Sequence, residues 1–147
     1  MTLAPTFVPF TPWTTVGGYN ELLDLLGDLD LVEQVAPIQL AIRLLITSES
    51  LLLELPDIRQ AVARFDPASL TYPWQHPDER VDALQASVVR AVGASSGQRR
   101  AEVFAAISSI AREQAGLPPK RRAAPNRAPA PHMSEPWYCC AEPMETF

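Results

Sequence analysis

Cysteine is nearly absent from this chain. Its 147 residues contain two, Cys139 and Cys140, side by side near the end. So few cysteines exclude a disulfide framework and the cysteine triplet that an iron–sulfur cluster needs. Long apolar runs are also missing: none approaches the roughly 18 residues of a membrane span, so no membrane partner is expected. The opening stretch, MTLAPTFVPFTPW, has neither the basic head nor the apolar run of a secretory signal peptide. The expected compartment is therefore a reducing cytoplasm, where a disulfide makes a poor structural staple. Common catalytic signatures are absent too: there is no glycine-rich phosphate loop, no H-E-x-x-H and no G-x-S-x-G.

Proline is plentiful. The chain has 15, about twice average usage, clustered at residues 5–12, 67–77 and 118–143, where they punctuate rather than build elements. Charge is unevenly spread. Residues 1–117 are net −6, residues 118–133 carry Lys120, Arg121, Arg122 and Arg127 with no acid, and residues 134–147 are net −3. The basic run has no interleaved aromatic residue and the body is acidic, so no nucleic-acid partner is expected and the run reads as a solvated linker. The implied organisation is a helical region over 1–117, a proline-rich basic linker over 118–133 and a tail over 134–147.

Local patterns within 1–117 predict a mainly α fold. The stretch PTFVPFTPWTT suits a pleated strand but carries three prolines, which confines it to an edge or to a short strand. Gly17-Gly18 should then break the chain, with Asn20 capping a short helix whose apolar positions are Leu22, Leu25, Leu26 and Leu29. In APIQLAIRLLI, Ile38, Ala41, Ile42, Leu45 and Ile46 form a helical stripe, with Pro37 acceptable in the first turn. Gln39 and Arg43, four apart, would share another face of that helix. They are either solvent-facing or aimed into a polar, cofactor-binding site. SESLLLELPDIRQAV predicts one or two helical turns broken at Pro56.

RFDPASLTYPWQHPDE reads as a loop that gathers Phe65, Tyr72, Trp74 and His76, its X-Pro pairs favouring extended backbone. Asp78 and Glu79 open a helix with apolar positions Val81, Leu84, Val88 and Val92. Val103, Phe104, Ile107, Ile110 and Ala111 mark a last helix, stopped by Gly116 and Pro118-Pro119. The expectation is one short N-terminal strand followed by four or five helices and a tail of disordered composition. A lone strand with an open edge needs a partner.

The cysteine pair allows several chemistries. Adjacent α-carbons lie about 3.8 Å apart across a trans peptide, short of the usual disulfide range of about 4.4–6.8 Å. A bond between them is strained and readily reduced, which suits a redox switch. As dithiols they offer two soft ligands, whereas a closed zinc site takes about four, and only His132 is close in sequence. Two ordinary buried thiols are the plain alternative.

The motif EPWYCCAEP resembles the tail of the CUAEP/CCAEP-tail radical SAM (seleno)proteins, in which one of the two positions can hold selenocysteine. PTFVPFTPWTT, VAPIQLAIRLLI and LTYPWQHPDERVDALQ are similar to the region following the catalytic core in B12-binding-type radical SAM proteins. The resemblance spans nearly the whole chain. It implies an enzyme that uses S-adenosylmethionine and a [4Fe-4S] cluster, with cobalamin as a further candidate cofactor. It also implies that Cys139 and Cys140 act in redox, radical quenching or product or metal capture, with Glu142 and Glu135 as candidate proton partners. The cluster motif C-x-x-x-C-x-x-C is missing. On this resemblance the chain is a C-terminal fragment with Met1 internal, or a subunit whose partner is a separate radical SAM core. PTFVPFTPWTT would then be the orphaned end of a partial α/β barrel. The alternative is a non-catalytic interaction module whose tail docks on another protein.

Overall fold

The fold is built on three helices, and the reasons they form are local. In a computed structural model, which describes residues 5–95 and 97–120, α1 spans Val16–Asp28, α2 Pro56–Ala61, α3 Glu79–Gly93 and α4 Arg100–Gln114. Short 3-10 turns occupy Val32–Gln34, Pro37–Leu40 and Leu51–Glu54. The mainly α expectation holds. No helix among the described residues is long and apolar enough to cross a membrane.

α3 begins where its sequence predicts. Asp78 caps it by accepting the backbone N–H of Arg80 at 3.0 Å. Acidic Glu79 and Asp82 lie in its first turn and Arg90 in its last, each matched to the helix dipole. In α4, Glu102 reaches back to accept from the Arg99 backbone N–H at 3.3 Å and from its guanidinium at 2.9 and 2.8 Å. Gly116, at φ +67°, ends α4 in a left-handed turn. There its N–H meets the Glu113 carbonyl at 3.0 Å and the Leu117 N–H meets the Arg112 carbonyl at 2.8 Å.

α1 departs from the expected start. Its cap is Thr15, whose Oγ1 accepts from Gly18 N–H at 2.9 Å, and Gly17-Gly18 lie inside the first turn rather than breaking the chain. First-turn N–H groups have no helical acceptor in any case, so the two glycines cost the helix less there than mid-length. Asn20 is inside the helix and buried. Its amide donates to the Val16 and Ala111 carbonyls, both at 2.9 Å, tying α1 to α4.

α3 packs on α4, and α1 packs on both. Tyr19, Leu23, Leu84, Val88, Phe104 and Ile107 fill the space between them and are almost wholly buried. Each such side chain stabilises the fold by about 1.5–3 kcal/mol.

The expected N-terminal strand is absent among the described residues. Residues 5–14 are irregular, with a single parallel bridge between Phe10 and Arg43. Nor is the segment left with an open edge at this point. The Phe10 N–H reaches the Ile42 carbonyl at 3.2 Å, and its carbonyl accepts from Leu44 N–H at 2.8 Å. On the opposite side, the Thr14 hydroxyl donates to the Pro9 carbonyl at 2.8 Å and accepts from Thr11 N–H at 2.9 Å. The groups a neighbouring strand would need are thus occupied. Phe10 itself is 1% exposed and stacks on Tyr19 with ring centroids 4.8 Å apart. Tyr19 in turn donates its hydroxyl to the Leu40 carbonyl at 2.8 Å, and its burial pushes the phenol well above its ordinary pKa.

APIQLAIRLLI also differs from expectation. Helical geometry stops at Leu40, and residues from Ile42 on run past Phe10 and then alongside Thr71 and Tyr72. Ile38, Ala41, Ile42, Leu45 and Ile46 fit a helical repeat, but Ile42, Leu44 and Ile46 also alternate, and pairing with Phe10 selects the extended form. The turns at Leu51–Glu54 and Pro56–Ala61 and the loop over 64–77 agree with the sequence.

Candidate functional site

Polar groups of several segments converge on Arg43. Its position follows from the Phe10 bridge, which turns residues 42–46 toward the 71–76 loop. That loop is held on both sides: Tyr72 N–H donates to the Ile46 carbonyl at 2.7 Å, and Ala63 N–H donates to the Pro73 carbonyl at 2.7 Å. Trp74, 8% exposed, donates its indole N–H to the Leu44 carbonyl at 2.8 Å.

The Arg43 guanidinium lies 3.7 Å from the centroid of the Trp74 ring. One Nη donates to Asp82 at 2.8 Å and the other to the Trp74 carbonyl at 2.6 Å. The second Asp82 oxygen accepts from His76 N–H at 3.0 Å. Asp82 belongs to α3, so one carboxylate joins the loop, the Arg43 segment and a core helix. His76 Nδ1 accepts the Asp78 N–H at 2.9 Å and lies 3.1 Å from the Asp78 carbonyl, while the other ring nitrogen, Nε2, faces the interior. That Nε2 is buried with no hydrogen-bond partner, as is Gln39 Oε1.

A cavity of about 290 Å³ opens beside this cluster, with Arg43, Tyr72, Trp74 and Gln85 in its wall. Its chemistry is muted. Asp82 neutralises the guanidinium, and the guanidinium covers a face of the indole, so neither a free cation nor an open aromatic platform is offered. A side chain of this kind acts as a clamp: it satisfies a carbonyl and a carboxylate together and stacks on an aromatic ring.

The sequence-predicted residues are distributed accordingly. Arg43 is in the cavity wall, whereas Gln39 lies on the preceding 3-10 turn and does not line it. The helix that would have put them on one face ends between them. Cys139, Cys140 and Glu142 lie outside the described residues, as do His132 and Glu135. Among the described residues no group of three or more His, Cys, Asp or Glu side chains is placed to hold a metal ion. The partners sequence reasoning missed are Asp82 and the Trp74 carbonyl. Asp82 sits 39 residues from Arg43 and has the ordinary look of a first-turn helix acid.

The first residues of the predicted linker do have defined partners. The Pro118 carbonyl accepts from Arg112 Nε at 2.6 Å, and Lys120 Nζ lies 3.3 Å from Asp24 and 3.6 Å from Asp28. Comparison with protein-family models, with curated proteins and with solved structures finds no match.

Proposed function

We propose that this chain is the C-terminal, tail-bearing part or subunit of a radical SAM enzyme, and that Cys139 and Cys140 are its reactive dithiol. The observation that carries the reading is the EPWYCCAEP motif: the chain's only two cysteines are adjacent, at a position where the resembling proteins can use selenocysteine. A [4Fe-4S] cluster does not fit the residues present, since the motif that holds it needs three cysteines and this chain has two. The cluster and S-adenosylmethionine therefore belong to a core of different sequence, and the chemistry assigned to this chain is that of thiols alone.

A vicinal dithiol can deliver two electrons and two protons while one S–S bond forms, to an oxidised intermediate generated by that core. The bond between neighbours is strained, so a second thiol reductant reopens it. Glu142, two residues past the pair, is the nearest carboxylate on its C-terminal side through which one of those two protons can pass on its way to the intermediate. It is also a like charge to the thiolate and tends to raise the thiol pKa.

Redox titration of the full chain followed by mass spectrometry tests this reading. The expected result is an intramolecular two-electron couple, less negative than the roughly −300 mV below which structural disulfides fall, and lost in both Cys139→Ser and Cys140→Ser. In the assembled enzyme the double serine variant should form no product. Product formation at the native rate by that variant would overturn the dithiol role and leave the tail as a docking peptide.

A further inference from the structure

The cavity beside Arg43 is bordered by two kinds of polar group, those the fold has used and those it has left over. Arg43 and Trp74 are used: the guanidinium is shared between Asp82 and the Trp74 carbonyl, and the indole N–H is on the Leu44 carbonyl. Gln85 is used on one side only. Its Nε2 donates to the Ala41 carbonyl at 3.3 Å, and a carbonyl oxygen only accepts, so the amide cannot turn round without losing that bond. Its Oε1 therefore remains as an acceptor. Tyr72 is fixed through its backbone, by the 2.7 Å bond to Ile46, and through its ring, whose centroid is 5.1 Å from that of Phe65. Among the described residues neither Gln85 Oε1 nor the Tyr72 hydroxyl has a hydrogen-bond partner, and neither is sealed from solvent. Both residues line the same half-enclosed space of about 290 Å³, whose wall also includes Leu44, Leu45 and Pro73 and no carboxylate.

We propose that this cavity binds a small neutral carboxamide, held between Gln85 and Tyr72. Charge does not select the ligand, because Asp82 already balances Arg43 and an anion would have to compete with that pair. Stacking on the covered face of the indole does not either, because the guanidinium lies there, 3.7 Å from the ring centroid. What remains is one acceptor and one hydroxyl in a partly apolar wall, the usual make-up of a small-ligand pocket. Gln85 Oε1 needs an N–H from the ligand, and the Tyr72 hydroxyl can give its proton to a ligand oxygen. A carboxamide carries both on neighbouring atoms with no net charge. A carboxylate has no donor, and would set oxygen against oxygen at Gln85. The apolar body of the ligand then lies against Leu44, Leu45 and Pro73. The volume is near the lower end for ligand pockets, which suits a molecule of about ten non-hydrogen atoms. Both polar groups are held in place beforehand, so binding does not have to order them. The site is independent of the dithiol reading, since neither residue belongs to the tail.

The test is amide and indole NMR on the full chain, with benzamide as the probe. Benzamide should move the Trp74 indole N–H and the Gln85 side-chain amide signals saturably, with a Kd of about 1 mM for a ligand this small. The Trp13 indole, bonded to Asp57 and outside the cavity wall, should stay put. Gln85→Met and Tyr72→Phe should each weaken binding about tenfold, the loss of one hydrogen bond. Tyr72→Phe keeps the ring against Phe65, so it carries the test on its own if Gln85→Met, which gives up the Ala41 bond, loosens the lobe. Benzoate, which lacks the donor, and toluene, which lacks both polar atoms, should bind at least about tenfold more weakly than benzamide. A Trp74 signal unmoved by benzamide at about 10 mM would overturn the proposal. So would equal affinity in wild type and Tyr72→Phe, which would leave apolar contact alone. Benzoate binding as tightly as benzamide would overturn it too, and would assign the cavity to an anion drawn by Arg43.

Discussion

The three-helix core and the lobe built from residues 41–76 are stabilised differently. The core brings Phe10, Tyr19, Leu23, Leu84, Phe104 and Ile107 into one apolar cluster. The lobe centres on a smaller buried group, Ile46, Ile58 and Trp74, with Leu44, Leu52, Leu53, Val62 and Tyr72 partly buried against it and only α2 and one 3-10 turn as regular structure. Its backbone is held instead by isolated bridges and by polar side chains reaching across loops: Trp74 to the Leu44 carbonyl, and Arg43 to Asp82 and the Trp74 carbonyl. Burial is non-directional and tolerates small shifts, whereas a hydrogen-bonded clamp depends on a few fixed geometries. The core should therefore fail globally when its volume changes, and the lobe locally when one polar partner is lost.

The largest expected effect tests the first half of that contrast. Phe104 is 3% exposed at the centre of the helical cluster. Phe104→Ala should cost about 3–5 kcal/mol, a large part of the stability of a domain this size. Ile107→Val, a milder change at a wholly buried neighbour, should cost about 0.5–1.5 kcal/mol. Chemical denaturation with circular dichroism measures both, and the lobe should unfold together with the helices. A lobe that kept its own transition in Phe104→Ala would show it to be the more independent unit.

Arg43 tests the second half. Arg43→Met retains the stem but loses the ion pair, the carbonyl contact and the stacking. With the pair partly exposed, at 15% and 32%, the expected cost is about 1–2 kcal/mol. Arg43→Lys should recover little, because an ammonium cannot serve both acceptors while lying flat on the indole. Hydrogen exchange locates the damage: the Tyr72 and Ala63 amides should lose protection while those of α3 and α4 keep theirs. Equal loss in the helices would mean the clamp supports the whole fold.

How legible each region was follows from the same physics. The start of α3 at Asp78, the apolar repeats of α3 and α4 and the stop of α4 at Gly116 could be read because each signal lies within a few positions of what it marks, whereas the Arg99–Glu102 start of α4 was not read. The break at Pro56 was legible because proline acts on its immediate neighbours. The segment after Pro37 was not. Its apolar residues satisfy a helical and an alternating pattern, and the choice was made by Phe10, more than 30 residues away in sequence. Asn20 was misplaced for a related reason: an amide that caps in isolation serves equally to join two buried helices, and Ala111 supplies the second acceptor. At the Arg43 cluster the sequence marked the cation and the aromatic loop, but their meeting depends on α3 bringing Asp82 across. The cysteine pair is the reverse case, since its interest lies wholly in sequence adjacency.

The smallest effect is expected at the junction of the two regions, where Asp78 ends the loop and begins α3. Its carboxylate is held below the ordinary aspartate pKa, first by the Arg80 guanidinium and then by the Arg80 backbone N–H. A carboxyl with a depressed folded-state pKa stays ionised in the fold while the unfolded chain already takes up protons. Its stabilisation is therefore complete above the unfolded value of 3.8 and is lost as pH falls through the lower folded value. Asp78→Asn separates the charge from the cap, because asparagine caps a helix about as well as aspartate. Thermal melts of both proteins should differ slightly at neutral pH, with wild type the more stable, and converge in acid below pH 3.8. The group is solvent-exposed, so added salt should shrink the neutral-pH difference. A gap that persisted unchanged into strong acid would show that the Asp78 contribution is the shape of its cap and not its charge.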